Sequence, residues 1–399
     1  MVLYCKTSSS KTRIFRYGKL RNRILARHKN QTPRWVFHFC RDRRWNTLKK
    51  CWISEKNVIL LPLQCKKNHM KQQAIFHKDK DICKNLAGLF CKKYGTILYS
   101  GTLAIESALM CAGIKRKDKV LVSGAVCNSV LNAIIRTGAI PVVVVPTNAI
   151  KLEAQECLSV LKQEKNIKCV ILTHQYGIAH DILPIKRFCG NKISIIEDVA
   201  QAYDIVVNSY PAGKYSDYVV TSFGKTKPLN YGIGGAIFSN RDLTDFFDFC
   251  DNTSRMRSNL LFPYIYPEVD KINYRKLLRN GNKNVKKQRQ IASVLEKGLE
   301  NIRCIEIIKD NPDNKSVWHR YPIFVKDKKY YQVILNLLEK TNVKYQLMHE
   351  IESFDLPMFK NKLKIINKNK NQDNIILLRT RNNDKKDVKK FLSLLKKVA

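Results

Sequence analysis

Between Thr96 and Ser239 the chain alternates short apolar runs with stretches of helical spacing. Strand-like runs fall at Thr96 to Tyr99, Lys119 to Ser123, Pro141 to Val145, Cys169 to Thr173, Ile193 to Glu197, Tyr218 to Ser222 and Gly235 to Ser239. Runs of about five apolar residues without polar alternation suit strands buried on both faces. Helical stretches separate the four runs that begin at Lys119, so successive strands are joined by crossovers. That pattern predicts an α/β fold with a mainly parallel sheet.

After Asn240 the pattern changes. Helix-like Val285 to Asn301, strand-like Arg320 to Val325, helix-like Lys329 to Thr341 and a terminal helix over Lys385 to Lys397 predict a smaller α+β domain. The expected division is a basic arm over 1–55, suited to a mobile or edge element, a large domain over 56–250 and a small domain over 251–399. The Asn/Lys-rich stretch at 367–374 reads as a loop.

The formal net charge is +40, and clustered Lys and Arg are the usual footprint of phosphate-backbone binding. Its distribution argues otherwise. Residues 1–50 hold fifteen Lys or Arg against the single acid Asp42, while the rest of the excess is spread over the remaining chain. A general drift toward Lys, Asn and Ile on solvated faces, as at Lys364 to Asn371, accounts for it without a specific nucleic-acid partner. The thirteen cysteines show neither paired C-x-x-C spacing nor a Cys/His cluster, so no metal site is expected and the thiols read as reduced and cytoplasmic. No run is long and apolar enough for a membrane span.

Three segments carry chemistry. Ser100-Gly101-Thr102 joins a strand to a helix, where free N–H groups and the helix dipole can receive a phosphate; the same turn can also serve only as a cap. In Ile195-Ile196-Glu197-Asp198 an apolar strand ends in an acid, at the strand end where open α/β sheets bind ligands. A buried carboxylate there needs a cation, which a protonated pyridine supplies, although Asp198 could equally cap the next helix. In Ser222-Phe223-Gly224-Lys225-Thr226-Lys227 a lysine follows a strand in a turn that allows close ligand approach, and an amine there can form an imine with an aldehyde. On chemistry alone Lys225 and Lys227 compete.

In type, order and spacing these segments resemble the DegT/DnrJ/StrS-type aminotransferases, a branch of fold type I pyridoxal-phosphate (PLP) enzymes. The resemblance is strong from Tyr99 to Asn240. It implies a large domain with a mainly parallel seven-stranded sheet flanked by helices, plus the smaller C-terminal α+β domain. It further implies that Gly101, Thr102 and Ser222 hold the cofactor phosphate, that Asp198 partners the pyridine nitrogen, and that Gln201 contacts the ring hydroxyl. Lys227, rather than Lys225, becomes the Schiff-base lysine. His174-Gln175-Tyr176-Gly177 matches the family's His-x-Tyr-Gly and, with Asp181, shapes the site. Cys127 stands where many members stack an aromatic ring on the cofactor. The Gly-Tyr-Asn-Tyr-Arg segment of a neighbouring subunit has no clear copy, with Asn273-Tyr274-Arg275 as a shortened remnant. The implied reaction moves an amino group from an amino acid, glutamate by resemblance, to a nucleotide-linked keto-sugar in a homodimer. A catalytically weakened relative, acting as a binding or regulatory module, is the alternative.

Overall fold

The computed structural model describes residues 80–248, 272–348, 354–359, 361–366 and 374–398, together with six strands before residue 80. Arg43, Arg44 and Trp45 of the expected arm, and residues 367–373 of the expected loop, lie outside the described residues.

The chain divides into two compact units, Met1–Gln72 and Gln73–Ala399. The first contains an antiparallel pair, Val2–Lys6 with Thr12–Arg16, and a three-stranded antiparallel sheet of Val36–Arg41, Leu48–Ser54 and Asn57–Leu61.

The second unit is built on a nine-stranded sheet. Its strands are β1 (Phe76–His77), β2 (Tyr94–Leu98), β3 (Lys119–Ser123), β4 (Ile140–Val144), β5 (Ile167–Thr173), β6 (Ser194–Asp198), β7 (Tyr218–Ser222), β8 (Gly235–Ser239) and, from far downstream, Lys364–Ile366. The order across the sheet is Lys364–Ile366, β4, β3, β5, β6, β7, β8, β2, β1. From the Lys364–Ile366 edge to β7 every pairing is parallel, and β8 then runs antiparallel to both of its neighbours. The seven expected strands are thus the body of the sheet, with one short strand added at each edge.

Side-chain alternation explains why both faces are covered. On β5, Val170 and Leu172 enter one core while Cys169 and Ile171 enter the other. The helices divide in the same way. Helices α1 (Lys80–Gly88), α4 (Ala154–Gln163) and α5 (Leu183–Cys189) pack on the Val170 face, and α2 (Gly101–Cys111) and α3 (Asn128–Arg136) on the Cys169 face. Since β6 alternates too, Glu197 and Asp198 leave it toward opposite faces.

A second, antiparallel sheet has the order β9 (Ile305–Ile307), β10 (Tyr321–Val325), β13 (Ile375–Leu378), β11 (Tyr345–Leu347), the Lys364–Ile366 strand being β12. It packs with α7 (Lys328–Lys340), α8 (Lys385–Val398) and the C-terminal half of α6 (Tyr274–Leu299). Helix α6 has 26 residues, about 39 Å at 1.5 Å per residue, and enters two cores: Leu277 and Val285 join the large-sheet core, Leu295 and Leu299 the small one. Asn273 caps it, its side chain accepting a hydrogen bond from the Lys276 N–H at 2.9 Å, so the expected Asn273-Tyr274-Arg275 remnant opens this helix. Among the described residues no helix is long and apolar enough to cross a membrane, and the cysteines from Cys83 to Cys189 and Cys304 are free.

Candidate active site

One cavity lies where β6, β7 and the N-terminus of α2 converge. Gly101, Thr102, Cys127, Asp198, Gln201, Ser222 and Lys227 all line it, so the expected catalytic and cofactor-binding residues fall in one place; of the expected shaping segment only Gln175 lines it, and Asp181 does not.

Ser100 caps α2, its Oγ accepting from the Leu103 N–H at 3.1 Å while its carbonyl accepts from Ala104. Helix first turns leave N–H groups without intrahelical acceptors, which favours an anion there. The turn requires glycine for space. A Cβ on Gly101 would come within 2.8 Å of Ser222 Cβ, and one on Gly235 within 2.5 Å of Gly101 N. Such approach brings the start of α2 against the end of β7, with Ser222 accepting from the Gly224 N–H at 3.3 Å.

Lys227 closes a turn in which its N–H donates to Gly224 O at 3.0 Å, while Tyr231 and Gly232 both donate to Phe223 O. Two distant elements hold this loop. Asn284 of α6 donates to Pro228 O at 2.7 Å, and Arg381, just past β13, donates to the carbonyls of Lys225 and Lys227 at 3.2 and 3.1 Å. Lys227 lines the cavity and Lys225 does not, which separates the two candidates on position.

Asp198 is buried, and its recorded hydrogen bond is from the Ala200 N–H at 2.9 Å. Among the described residues no Lys, Arg or His nitrogen reaches ion-pair distance of it. Burial raises its pKa, against smaller lowering by the Ala200 N–H and the charge of Lys227. Glu197, one residue earlier, is fully served: His174 Nε2 lies 3.0 Å from Oε1, and the Gly213 N–H donates to Oε2 at 2.7 Å. Burial pushes Glu197 up, but the hydrogen bonds it receives, from His174 first and from the Gly213 N–H, together outweigh burial, and its pKa is lowered. The His180 N–H approaches His174 Nδ1 at 3.3 Å, which assigns the ring proton to Nε2, facing Glu197.

Gln201 donates to Gln175 Oε1 at 2.8 Å, and both line the cavity. Gln175 sits in a tight turn whose next residue, Tyr176, has φ of 57°, a left-handed conformation that costs a side-chain-bearing residue of order 1–3 kcal/mol. Gly177 follows at φ 76°. Backbone bonds secure this turn: Val317 and Trp318 donate to Gly177 O, and Arg320 to Tyr176 O at 3.0 Å. Asp181 lies beyond the turn and accepts from Asn208, Asn311 and Asn314, a loop-shaping role. Cys127 precedes α3 at an exposed position without capping it through its side chain, the thiol lying 3.5 Å from Asn128 Oδ1.

The residues suit PLP on two structural observations. Asp198 is a buried carboxylate without a protein cation, as a protonated pyridine would require. The Thr173 and Thr221 hydroxyls, also lining the cavity, are buried with no partner among the described residues. Sequence reasoning did not single out Thr173, Thr221 or Ser129 as lining residues, and it treated Gln175 only as part of a shaping motif. Their common signal is position at or just past the carboxyl ends of parallel strands.

The sequence model of the DegT/DnrJ/EryC1/StrS aminotransferase family matches residues 72–247 and 274–381. A GDP-perosamine synthase from Vibrio cholerae is 30% identical over 153 residues, which is 38% of this chain and 41% of that protein. A second, from Escherichia coli O157:H7, is 26% identical over 242 residues, 57% of this chain and 64% of that one. The chain thus spans less than two thirds of the length of these relatives. Among solved structures, a DegT DnrJ EryC1 StrS aminotransferase from Brucella abortus superposes with a TM-score of 0.65 at 18% identity, covering 80% of this chain and 89% of that one, a likeness of fold.

Proposed function

Because this chain belongs to the DegT/DnrJ/EryC1/StrS aminotransferase family, we propose that it is a PLP-dependent aminotransferase that moves an amino group from an amino acid, glutamate in our reading, to a nucleotide-linked keto-sugar. The observation that carries this is the meeting of Lys227 and the cation-free carboxylate of Asp198 in one cavity, across from the glycine-lined start of α2. Bound PLP would supply an aldehyde that captures amines and a ring that accepts the electron pair released at the substrate carbon.

The chain's own residues do the rest. Thr102 and Ser222 bind the phosphate, with Gly101 leaving it room. Asp198 would hold the pyridine nitrogen protonated, Gln201 would orient the ring hydroxyl, and Cys127 would pack against the ring face. Lys227 Nζ would anchor the cofactor and, once free, would take the proton from the substrate carbon that bears the nitrogen as base and give it up again as acid. Arg381 and Asn284 keep the lysine loop in place through its carbonyls. The same reading makes the protein a cytoplasmic homodimer.

Spectroscopy tests it. Purified protein with PLP should show a visible absorption band that shifts on adding glutamate. Lys227→Ala should abolish the band and Lys225→Ala should retain it; an unchanged band in Lys227→Ala would refute the assignment.

A further inference from the structure

Three arginines gather beside the lysine loop. Arg320 follows His319 at the start of β10, while Arg379 and Arg381 follow β13, the neighbouring strand in the small sheet. All three are half-buried. Arg320 Nη1 contacts His319 Nε2 at 3.2 Å and donates to its carbonyl at 3.0 Å; Arg381 donates to the carbonyls of Lys225 and Lys227. The Nε of Arg379 is buried with no partner among the described residues. Arg320 feels the charges of the other two. Burial first, and then Arg379, pull the Arg320 pKa down to about 10, so it stays charged, while burial and the surrounding cations hold His319 well below its ordinary value and neutral.

What the cluster lacks is an acid. Among the described residues no carboxylate reaches ion-pair distance of Arg320, Arg379 or Arg381. Arg289, half-buried as well, meets Asp204 at 2.6 Å, so this fold does supply acids to partly buried arginines elsewhere. Three like charges held together out of bulk water repel one another, and guanidinium groups match carboxylate and phosphate oxygens two at a time. Hydrogen bonds tie the cluster to the site on both sides: the Arg320 backbone N–H donates to Tyr176 O, next to Gln175, and the Arg381 guanidinium to Lys227 O.

We infer that Arg320, Arg379 and Arg381 form a receptor for an oxyanion, carboxylate or phosphate, carried by the molecule that reacts at Lys227. The inference rests on the proposed aminotransferase reading for the word "reacts", whereas the receptor itself stands on the arginines. The oxyanion comes either from an acidic amino donor or from an acidic or phosphorylated acceptor.

Calorimetric titration of the full-length protein, saturated with PLP so that the phosphate turn at the start of α2 is filled, with inorganic phosphate and with glutarate at ionic strength matched with NaCl, tests it. Saturable binding is expected, weakened about tenfold or more in Arg320→Gln and in Arg381→Gln, the scale of one lost charged hydrogen-bond pair. Lys390→Gln, on the exposed face of α8, should leave it unchanged. Arg320→Lys keeps the charge but not the fork, and should fall between if wild-type near-ultraviolet circular dichroism is retained. Binding of phosphate alone points to a phosphorylated acceptor, and of glutarate alone to a dicarboxylic donor. No saturation by either anion, or equal weakening by Lys390→Gln and Arg320→Gln, would overturn the receptor. A missing PLP band with anion binding intact would instead remove the aminotransferase reading and leave the receptor standing.

Discussion

Glu197 and Asp198 are adjacent carboxylates with opposite surroundings, and their titration follows. Glu197 is depressed, so its contribution to stability is fully present above its ordinary value of 4.5 and is lost as pH falls through the folded value. Asp198 is raised, so its contribution is fully present below its ordinary 3.8 and is lost as pH rises through the folded value. At neutral pH, above its ordinary value, Asp198 therefore burdens the cofactor-free fold, and a protonated pyridine would relieve it. Asp198→Asn without PLP should melt no lower than wild type at pH 7, while its gain in melting temperature on adding PLP should shrink. Amino transfer should drop by about 10²-fold or more, the scale on which one preplaced electrostatic partner acts. Glu197→Gln is expected to do the reverse: it lowers the melting temperature near pH 7, and the deficit closes on acidification below 4.5. Thermal scans across pH distinguish the two residues.

The junction of α2 with β7 and β8 is where the elements meet most closely, and where substitution is most legible. Gly235→Ala would press a Cβ to 2.5 Å from both Gly101 N and Ser100 C, backbone atoms that cannot rotate away. The start of α2 must shift. A loss of about 1–3 kcal/mol, the usual range for overpacking, should appear as a lower urea midpoint together with weaker PLP affinity. Strands β3 to β8 were readable in the sequence because each is an apolar run buried on both faces, so the signal needs no knowledge of partners. Lys364-Ile365-Ile366 was not: its composition reads as solvated drift, yet it pairs with β4, and Ile365 and Ile366 enter opposite cores. Helix α6 begins at Tyr274, well before its expected start at Val285, because the polar stretch from Asn280 to Asn284 has little apolar period of its own; it is held by Asn273 and by contacts of Asn280 and Asn284 with the lysine loop. The site divides in the same way. Asp198, Ser222 and Lys227 were legible from short local motifs, whereas the arginines come together only through the pairing of β10 with β13, strands far apart in the chain.

At the scale of the whole molecule, charge decides the response to salt. The chain carries 73 Lys and Arg against 33 Asp and Glu. Exposed pairs such as Lys309 with Glu300 and Lys329 with Asp327 are attractive, but each is worth little in water and added salt weakens them. The unmatched positive charges repel one another over about 30 Å at 0.01 M salt and only about 8 Å at 0.15 M. Since the excess far outnumbers the pairs, screening should relieve more repulsion than it removes attraction. The melting temperature is therefore expected to rise between 0.01 and 0.15 M NaCl, by about 1 °C for each kcal/mol gained in a chain of 399 residues. Differential scanning fluorimetry across that range measures it, and a flat or falling trend would mean that the paired charges dominate. Phosphate at matched ionic strength, added to protein saturated with PLP, adds a second comparison. Screening alone predicts the same melting temperature as NaCl, while occupation of the arginine cluster predicts a further rise that Arg320→Gln removes.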